Sequence, residues 1–176
     1  TWNISNSSTL THLTLNSGSI VNFQHVDPDS WQSLTINEDF TGDGGKLVFN
    51  TVLYNDVSET DKLIVNGNTS GNALVAVRNI GGNGAQTVEG IEIISVGGQS
   101  DGVFEKEGRI VAGGYDYNVV QKGNNWYLTS LLEPTDPVDP PPPDPVDPPQ
   151  PDPHEPPQPE PHPPPPPQPA EPQQPE

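Results

Sequence analysis

The sequence predicts an all-β fold, a solenoid of strand turns stacked on one another, and three observations carry that expectation. A four-residue unit recurs as "LTLN" at 13–16, "LTIN" at 34–37 and "LIVN" at 63–66. Each copy is followed, across a polar stretch containing Gly, by a second apolar run: "SIVNF" at 19–23, "KLVFN" at 46–50 and "ALVAVRN" at 73–79. Apolar residues seldom recur at helical spacing, and Val, Ile, Thr and aromatic residues fill the apolar runs, as strands prefer.

The elements follow in order. Alternation puts Leu13 and Leu15 on one side of a pleated strand, and likewise Val21 and Phe23, Leu34 and Ile36, Leu47 and Phe49, Leu63 and Val65. Ala73, Val75 and Val77, then Ile91 and Ile93, repeat the pattern. The clusters "NSGS", "TGDGG", "NGNTSGN", "GGNGA" and "GGQSDG" between them supply the backbone angles of sharp corners. The copies of the unit lie 21 and then 29 residues apart, a loose period that fits a solenoid whose insertions bulge from corners. The Asn closing each copy is placed at a corner, either stacked on the Asn of the next turn or serving as an ordinary turn residue. An antiparallel sandwich of short strands is the competing architecture.

After the third copy "GIEIISVGG" reads as one more turn, and "RIVAGGYDYNVVQKGNNWYLTS" as two strands, 115–120 and 126–129, joined by "QKGNN". A stack of parallel turns ends in unpaired backbone groups that need covering. This hairpin reads as the cover, with Tyr115, Tyr117, Trp126, Tyr127 and Leu128 lying over the edge.

Composition divides the chain at Glu133. One proline, Pro28, precedes that point and 23 follow it, so residues 1–132 form the head and 133–176 a tail that cannot build a core. The tail has ten Asp or Glu and no Lys or Arg, so the net charge of -18 splits into -10 for the tail and -8 for the head. Such a tail is expected to be a disordered acidic spacer in extended polyproline II, reaching on the order of 140 Å at about 3.1 Å per residue. Its PxxP strings have no flanking base to orient docking in an aromatic groove.

The acidic balance excludes nucleic acid as a partner, because phosphates need Lys and Arg to displace their counterions. No run approaches the 18 apolar residues of a membrane helix, and no signal peptide stands at Thr1. A chain with no Met that opens on strand-like "TWNIS" is expected to be a piece of something longer. Zero Cys rules out a disulfide framework.

Strings that suggest chemistry are weak. "GQSDG" at 98–102 matches the G-x-S-x-G nucleophile elbow around Ser100, but no helix pattern follows it and the downstream histidines, His154 and His162, lie in the tail. A Gly-rich corner explains it, and no catalytic residue is assigned. His12 is expected on a strand face and His25 in a loop, without ligand spacing, and "TGDGGK" lacks the repetition of calcium-binding rolls. No metal or cofactor is expected. Asn3, Asn6 and Asn68 open N-x-S/T strings that an Asn-, Ser- and Thr-rich chain contains by chance.

The segments "SETDKLIVNGNTSGNALVAVRNIGG", "IEIISV" and "GGYDYNVVQKGNNWYLTS", followed by a Pro-rich spacer, resemble the C-terminal passenger region of pertactin-like autotransporters of Gram-negative bacteria, from about residue 35 to 132. The resemblance implies the last rungs of a right-handed parallel β-helix plus a cap. It also implies a non-enzymatic autochaperone role at the bacterial cell surface, reached through the periplasm. Tyr115, Tyr117, Trp126, Tyr127 and Leu128 would carry it in the cap, and Leu63, Val65, Val75 and Val77 in the rungs. The implied partners are upstream rungs and an outer-membrane translocator barrel of the same parent chain, along with outer-membrane assembly factors or periplasmic chaperones. As an alternative, corner loops such as "VDPDSWQS" and "SDGVFEKEG" would make an adhesin surface for a host or neighbouring cell, with Trp31 as a contact residue.

Overall fold

The period-two pattern builds strands and, among the described residues, no helix. The structure is a computed structural model and describes residues 1–130 and 159–169. Its strands are β1 (Trp2–Ile4), β2 (Ser8–Leu10), β3 (Leu13–Asn16), β4 (Ile20–Phe23), β5 (Ser33–Ile36), β6 (Phe40–Thr51) and β7 (Lys62–Val65). They continue as β8 (Thr69–Asn79), β9 (Ile91–Val96), β10 (Val103–Lys106), β11 (Ile110–Ala112), β12 (Tyr115–Lys122) and β13 (Asn125–Thr129). Residues 159–169 carry neither helix nor strand and are exposed. The rest of the Pro-rich tail, and with it most of the expected spacer, lies outside the described residues.

Three faces succeed one another around each turn. The first stacks β2, β5, β7 and β9 in parallel. The second stacks β3 on the front of β6, and that on the front of β8. The third stacks β1, β4 and the back halves of β6 and β8, while β10 adds to β8 at residues 72–75. Ser8 faces Leu34, Leu34 faces Leu63 and Leu63 faces Ile94, so successive turns take 26, 29 and 31 residues. This is the parallel solenoid, and antiparallel ladders between the named strands are confined to the cap.

The register corrects one expectation. "LTLN" does not stack on "LTIN": β3 pairs with the start of β6, and the upstream partner of β5 is β2. The 21-residue spacing of the first two copies is therefore not a turn. Alternation dictates which side chains point inward on any face, so one short motif suits two different faces equally well. "LTIN" and "LIVN" do stack, as do the three second runs, which bring Val21, Leu47 and Val75 into line.

The Gly clusters "TGDGG" and "TSGN" also differ from the expected turns, because they lie inside β6 and β8. Each long strand runs through a corner without leaving the ladder, bending where the register shifts between Asp43 and Lys46. At Gly71 a side chain is forbidden twice over. Its φ is +70°, and a Cβ would sit 1.9 Å from the Gly42 carbonyl oxygen.

Inside, like positions form columns. Leu34, Leu63 and Ile94 stand in one, Ile36, Val65 and Val96 in a second, and all are buried. Phe23 stacks on Phe49 with ring centroids 5.2 Å apart. Of the two readings of Asn16, Asn37 and Asn66, stacked or ordinary turn residue, no side-chain bond among the described residues supports the first, and nearby side chains bond successive turns instead. Asp39 accepts from the Asn68 N–H at 2.9 Å, and the Asn68 side-chain oxygen accepts from the Gln99 N–H at 2.7 Å. Asn22 also donates to Asn3 across the β1 and β4 pair, at 2.8 Å.

Candidate functional site: the open end and the cap

The two ends of the solenoid are finished differently. At the N-terminal end β1, β2 and β3 are the outermost strands of their faces. Trp2 heads the column of Val21, Leu47 and Val75; Leu10 heads that of Ile36 and Val65; Leu13 heads that of Phe40. Lower members of these columns are buried, yet Trp2 is 38% exposed and Leu10 and Leu13 are half-buried. No described residue packs over them as the next turn packs over the members below. Thr1, Trp2, Leu13, Thr14, Leu15, Ser19, Ile20 and Val21 line a groove of about 320 Å³ there.

The other end is closed. Gly123, at φ 62°, and Asn124 form a two-residue turn between β12 and β13. A left-handed first residue followed by one without positive φ is the type II′ geometry that suits strand twist. β13 then lies antiparallel on β9, pairing Trp126 with Ile94 and Leu128 with Ile91. Trp126 meets Phe104 edge-on at 5.3 Å, and Phe104 meets Phe40 at 5.5 Å, an aromatic line leading from cap to core.

Tyr117, wholly buried, donates its hydroxyl to the Tyr54 carbonyl at 2.8 Å and accepts from the Ala85 N–H at 3.1 Å. Thr87 and Ser130 exchange bonds as well, fastening the end of the cap to the 85–87 segment. Leu128 is buried; Tyr115 and Tyr127 are half-buried, the latter donating to Glu92 at 3.1 Å with Lys122 over its ring. Leu63, Val65 and Val75 are buried in the rungs, and Val77 packs half-buried against them. One hydrophobic cluster contains Tyr117, Trp126, Leu128, Leu63, Val65 and Val75.

Trp31 does not stand out from its loop: it is half-buried, with its ring 4.6 Å from that of His25. The string "SDGVFEKEG", expected as an exposed corner loop, contains β10 and the buried Phe104. A single inward residue among Val, Glu and Lys leaves no alternation to read. His12 lies in the bend between β2 and β3, not on a strand face, and its ring is 2.9 Å from Glu38. His25 is in a loop, as expected. The Ser100 hydroxyl donates to the Asn124 carbonyl at 2.7 Å and Gln121 donates to Ser100, so "GQSDG" is a corner tied to the cap turn.

Two acidic residues of the 52–61 segment that the sequence did not flag tie that corner to the turns on either side of it. Asp61 is wholly buried and accepts from the Gln32 N–H at 2.9 Å and from both the N–H and the side-chain amide of Asn50 at 2.8 Å. Asp56 accepts from three consecutive N–H groups, Val88 at 2.9 Å and Glu89 and Gly90 at 3.0 Å. These bonds, the one from Glu89 foremost, hold the Asp56 carboxyl below its ordinary value of 3.8. A depressed carboxylate stabilises the fold above its unfolded pKa, and that gain is lost as pH falls through the folded value. Asp56→Asn is therefore expected to be less stable than the parent chain near pH 7, with the gap closing in urea titrations taken below pH 3.8. A gap independent of pH would mean that shape, not charge, matters there.

The family model described as Autochaperone Domain Type 1 matches residues 8–119, further upstream than the resemblance that began near residue 35. An uncharacterized protein of Escherichia coli K12, YdeU, is 50% identical over 113 residues, covering 61% of this chain and 24% of its own. The adhesin BmaC autotransporter of Brucella suis is 43% identical over 133 residues, 65% of this chain and 4% of the relative. The autotransporter adhesin AIDA-I of Escherichia coli is 46% identical over 112 residues, 59% and 9% respectively. The chain thus spans a quarter or less of the length of these relatives.

Proposed function

Because the chain belongs to the type 1 autochaperone domain family, with a passenger region of autotransporters as its setting, we propose that it is a folding and stability module of an exported passenger. The capped end folds first, and the open end then serves as the template on which upstream turns of the same parent chain form. Tyr115, Tyr117, Trp126, Tyr127 and Leu128 hold the cap, and Leu63, Val65, Val75 and Val77 the rungs below the template. The role is non-catalytic, in keeping with the family and its adhesin relatives. The acidic tail from residue 133 is the spacer toward an outer-membrane translocator barrel, which places the module at the cell surface after passage through the periplasm. Outer-membrane assembly factors and periplasmic chaperones are its partners on that route. No helix among the described residues is long and apolar enough to cross a membrane.

The observation that supports this reading is the unequal finish of the two ends. Among the described residues Trp2, Leu10 and Leu13 top their columns and stay partly exposed, whereas Trp126 and Tyr117 are buried. In a one-dimensional stack each new turn repeats the same burial and pairing, so growth from a finished end is a physical route to propagation. A urea titration followed by Trp fluorescence and far-UV circular dichroism is expected to give one coincident, reversible transition, as an autonomous template requires. A chain without cooperative structure at zero urea would end the template reading.

A second reading is adhesion, favoured by relatives named as adhesins. The loop of residues 26–33 with Trp31 is its contact site, on a host surface or a neighbouring cell. Replacing residues 26–31 by a short Gly/Ser turn, which keeps Gln32 and β5, is expected to remove attachment by the parent protein while the urea transition persists. Attachment that survives the replacement excludes the loop.

A further inference from the structure

One corner of the solenoid joins the third face to the first in every turn, through residues 24–32, 52–61 and 80–90. Four of the large apolar residues left exposed lie there: Val26 at 65%, Tyr54 at 47%, Val57 at 84% and Val88 at 80%. Three successive equivalent loops thus present apolar side chains outward.

These loops are held in place. The Asp56 carboxylate, grasped by the N–H groups of residues 88–90, brings Val57 and Val88 onto adjoining loops. Tyr54 is fixed by the Tyr117 hydroxyl on its carbonyl. An apolar side chain on a fastened loop cannot fold back onto the core, and a fixed surface loses little entropy on binding. The loops also carry Asp27, Asp29, Glu59 and Glu89 and no Lys or Arg. Lys122 donates to the Glu89 carbonyl at this corner, and Lys62 and Arg78 lie in the strands that flank the loops.

We propose that this corner is an interaction surface for a cationic amphipathic segment of a partner protein, one presenting Lys or Arg around apolar side chains. Apolar residues set among carboxylates match that chemistry and repel its alternatives. The chain's own tail is acidic without a single base, a second copy would bring the same carboxylates, and anionic lipid would be repelled in the same way. The proposal goes beyond the folding role and does not rest on it.

The test uses the full 176-residue chain and two synthetic peptides of equal length and charge: an amphipathic Lys/Leu peptide of helical period and a Lys/Ser peptide. Titration calorimetry in about 0.15 M salt, where the screening length is about 8 Å, is expected to show one Lys/Leu peptide bound at least about tenfold tighter than Lys/Ser. The double variant Val57→Ser, Val88→Ser is expected to reduce the Lys/Leu affinity to the Lys/Ser level with an unchanged urea midpoint. Neutralising Asp27, Asp29, Glu59 and Glu89 as amides is expected to weaken both peptides. Backbone NMR shifts are expected at residues 24–32, 54–58 and 88–90. Equal affinities for the two peptides, binding indifferent to the double serine variant, or shifts centred on Trp2 at the open end would each overturn the proposal.

Discussion

Tyr117→Ala is expected to lower the stability of the chain by about 3–5 kcal/mol, the usual loss when a large buried ring is truncated. Tyr117 is the largest wholly buried side chain among the described residues, and its ring lies in the cluster that contains Trp126 and Leu128. Truncation also strips the Tyr54 carbonyl of its donor and the Ala85 N–H of its acceptor. Tyr117→Phe separates the two contributions: it keeps the packing, removes the hydroxyl, and is expected to cost about 1–2 kcal/mol. The measurement is the urea midpoint with an unchanged slope. If the Ala variant unfolds at the parent midpoint, the cap does not hold the stack. If Phe is as damaging as Ala, bonding rather than packing fastens the cap.

Asp61→Ala should be comparably severe, at about 3–5 kcal/mol, because removing one member of a buried ionic or hydrogen-bonded set leaves the others without partners. Three donors lose their acceptor, the Gln32 N–H and the two from Asn50. Asn50 also donates to the Phe23 carbonyl at 2.7 Å, so the cluster ties the corners of successive turns together. Asp61→Asn retains an oxygen for part of this set and is expected to fall between the parent and the Ala variant. Hydrogen exchange at the Gln32 and Asn50 amides is the local check. Faster exchange confined to these sites in Asp61→Asn, ahead of any change in the midpoint, is expected; uniform exchange throughout would show that the corner has no separate stability.

Most of the inward positions were legible because burial on one face of a strand imprints a period of two. Leu34 with Ile36, Leu63 with Val65, and Val21 with Phe23 are buried as alternation requires. The cap was legible too, since a Gly-Asn turn between aromatic-rich runs has few other uses. Register was not. "LTLN" is as good a strand on the second face as "LTIN" is on the first, and only the path of the intervening chain decides the matter. Phe104 was hidden because a strand with one inward residue shows no alternation, and the long strands were hidden because Gly, which commonly ends a strand, here lets one bend. Asp61 and Asp56 were invisible for a different reason. All but one of their partners, the Asn50 side-chain amide, are backbone N–H groups, which every residue but proline possesses, so sequence contains little sign of them.

The in-register stacking of the turns sets how far the chain must reach to fold. Partners across the parallel ladders are separated by 19 residues, from Trp2 to Val21, up to 31, from Leu63 to Ile94. The entropy of closing a loop grows only with the logarithm of its length, so each turn pays nearly the same closure cost whatever its position in the stack. Contact order measured in residues consequently stays fixed as turns are added, and relative contact order falls. A longer stack built this way is expected to gain turns at a steady rate and not to slow with length, a kinetic property that a globular β-sandwich of equal size does not share.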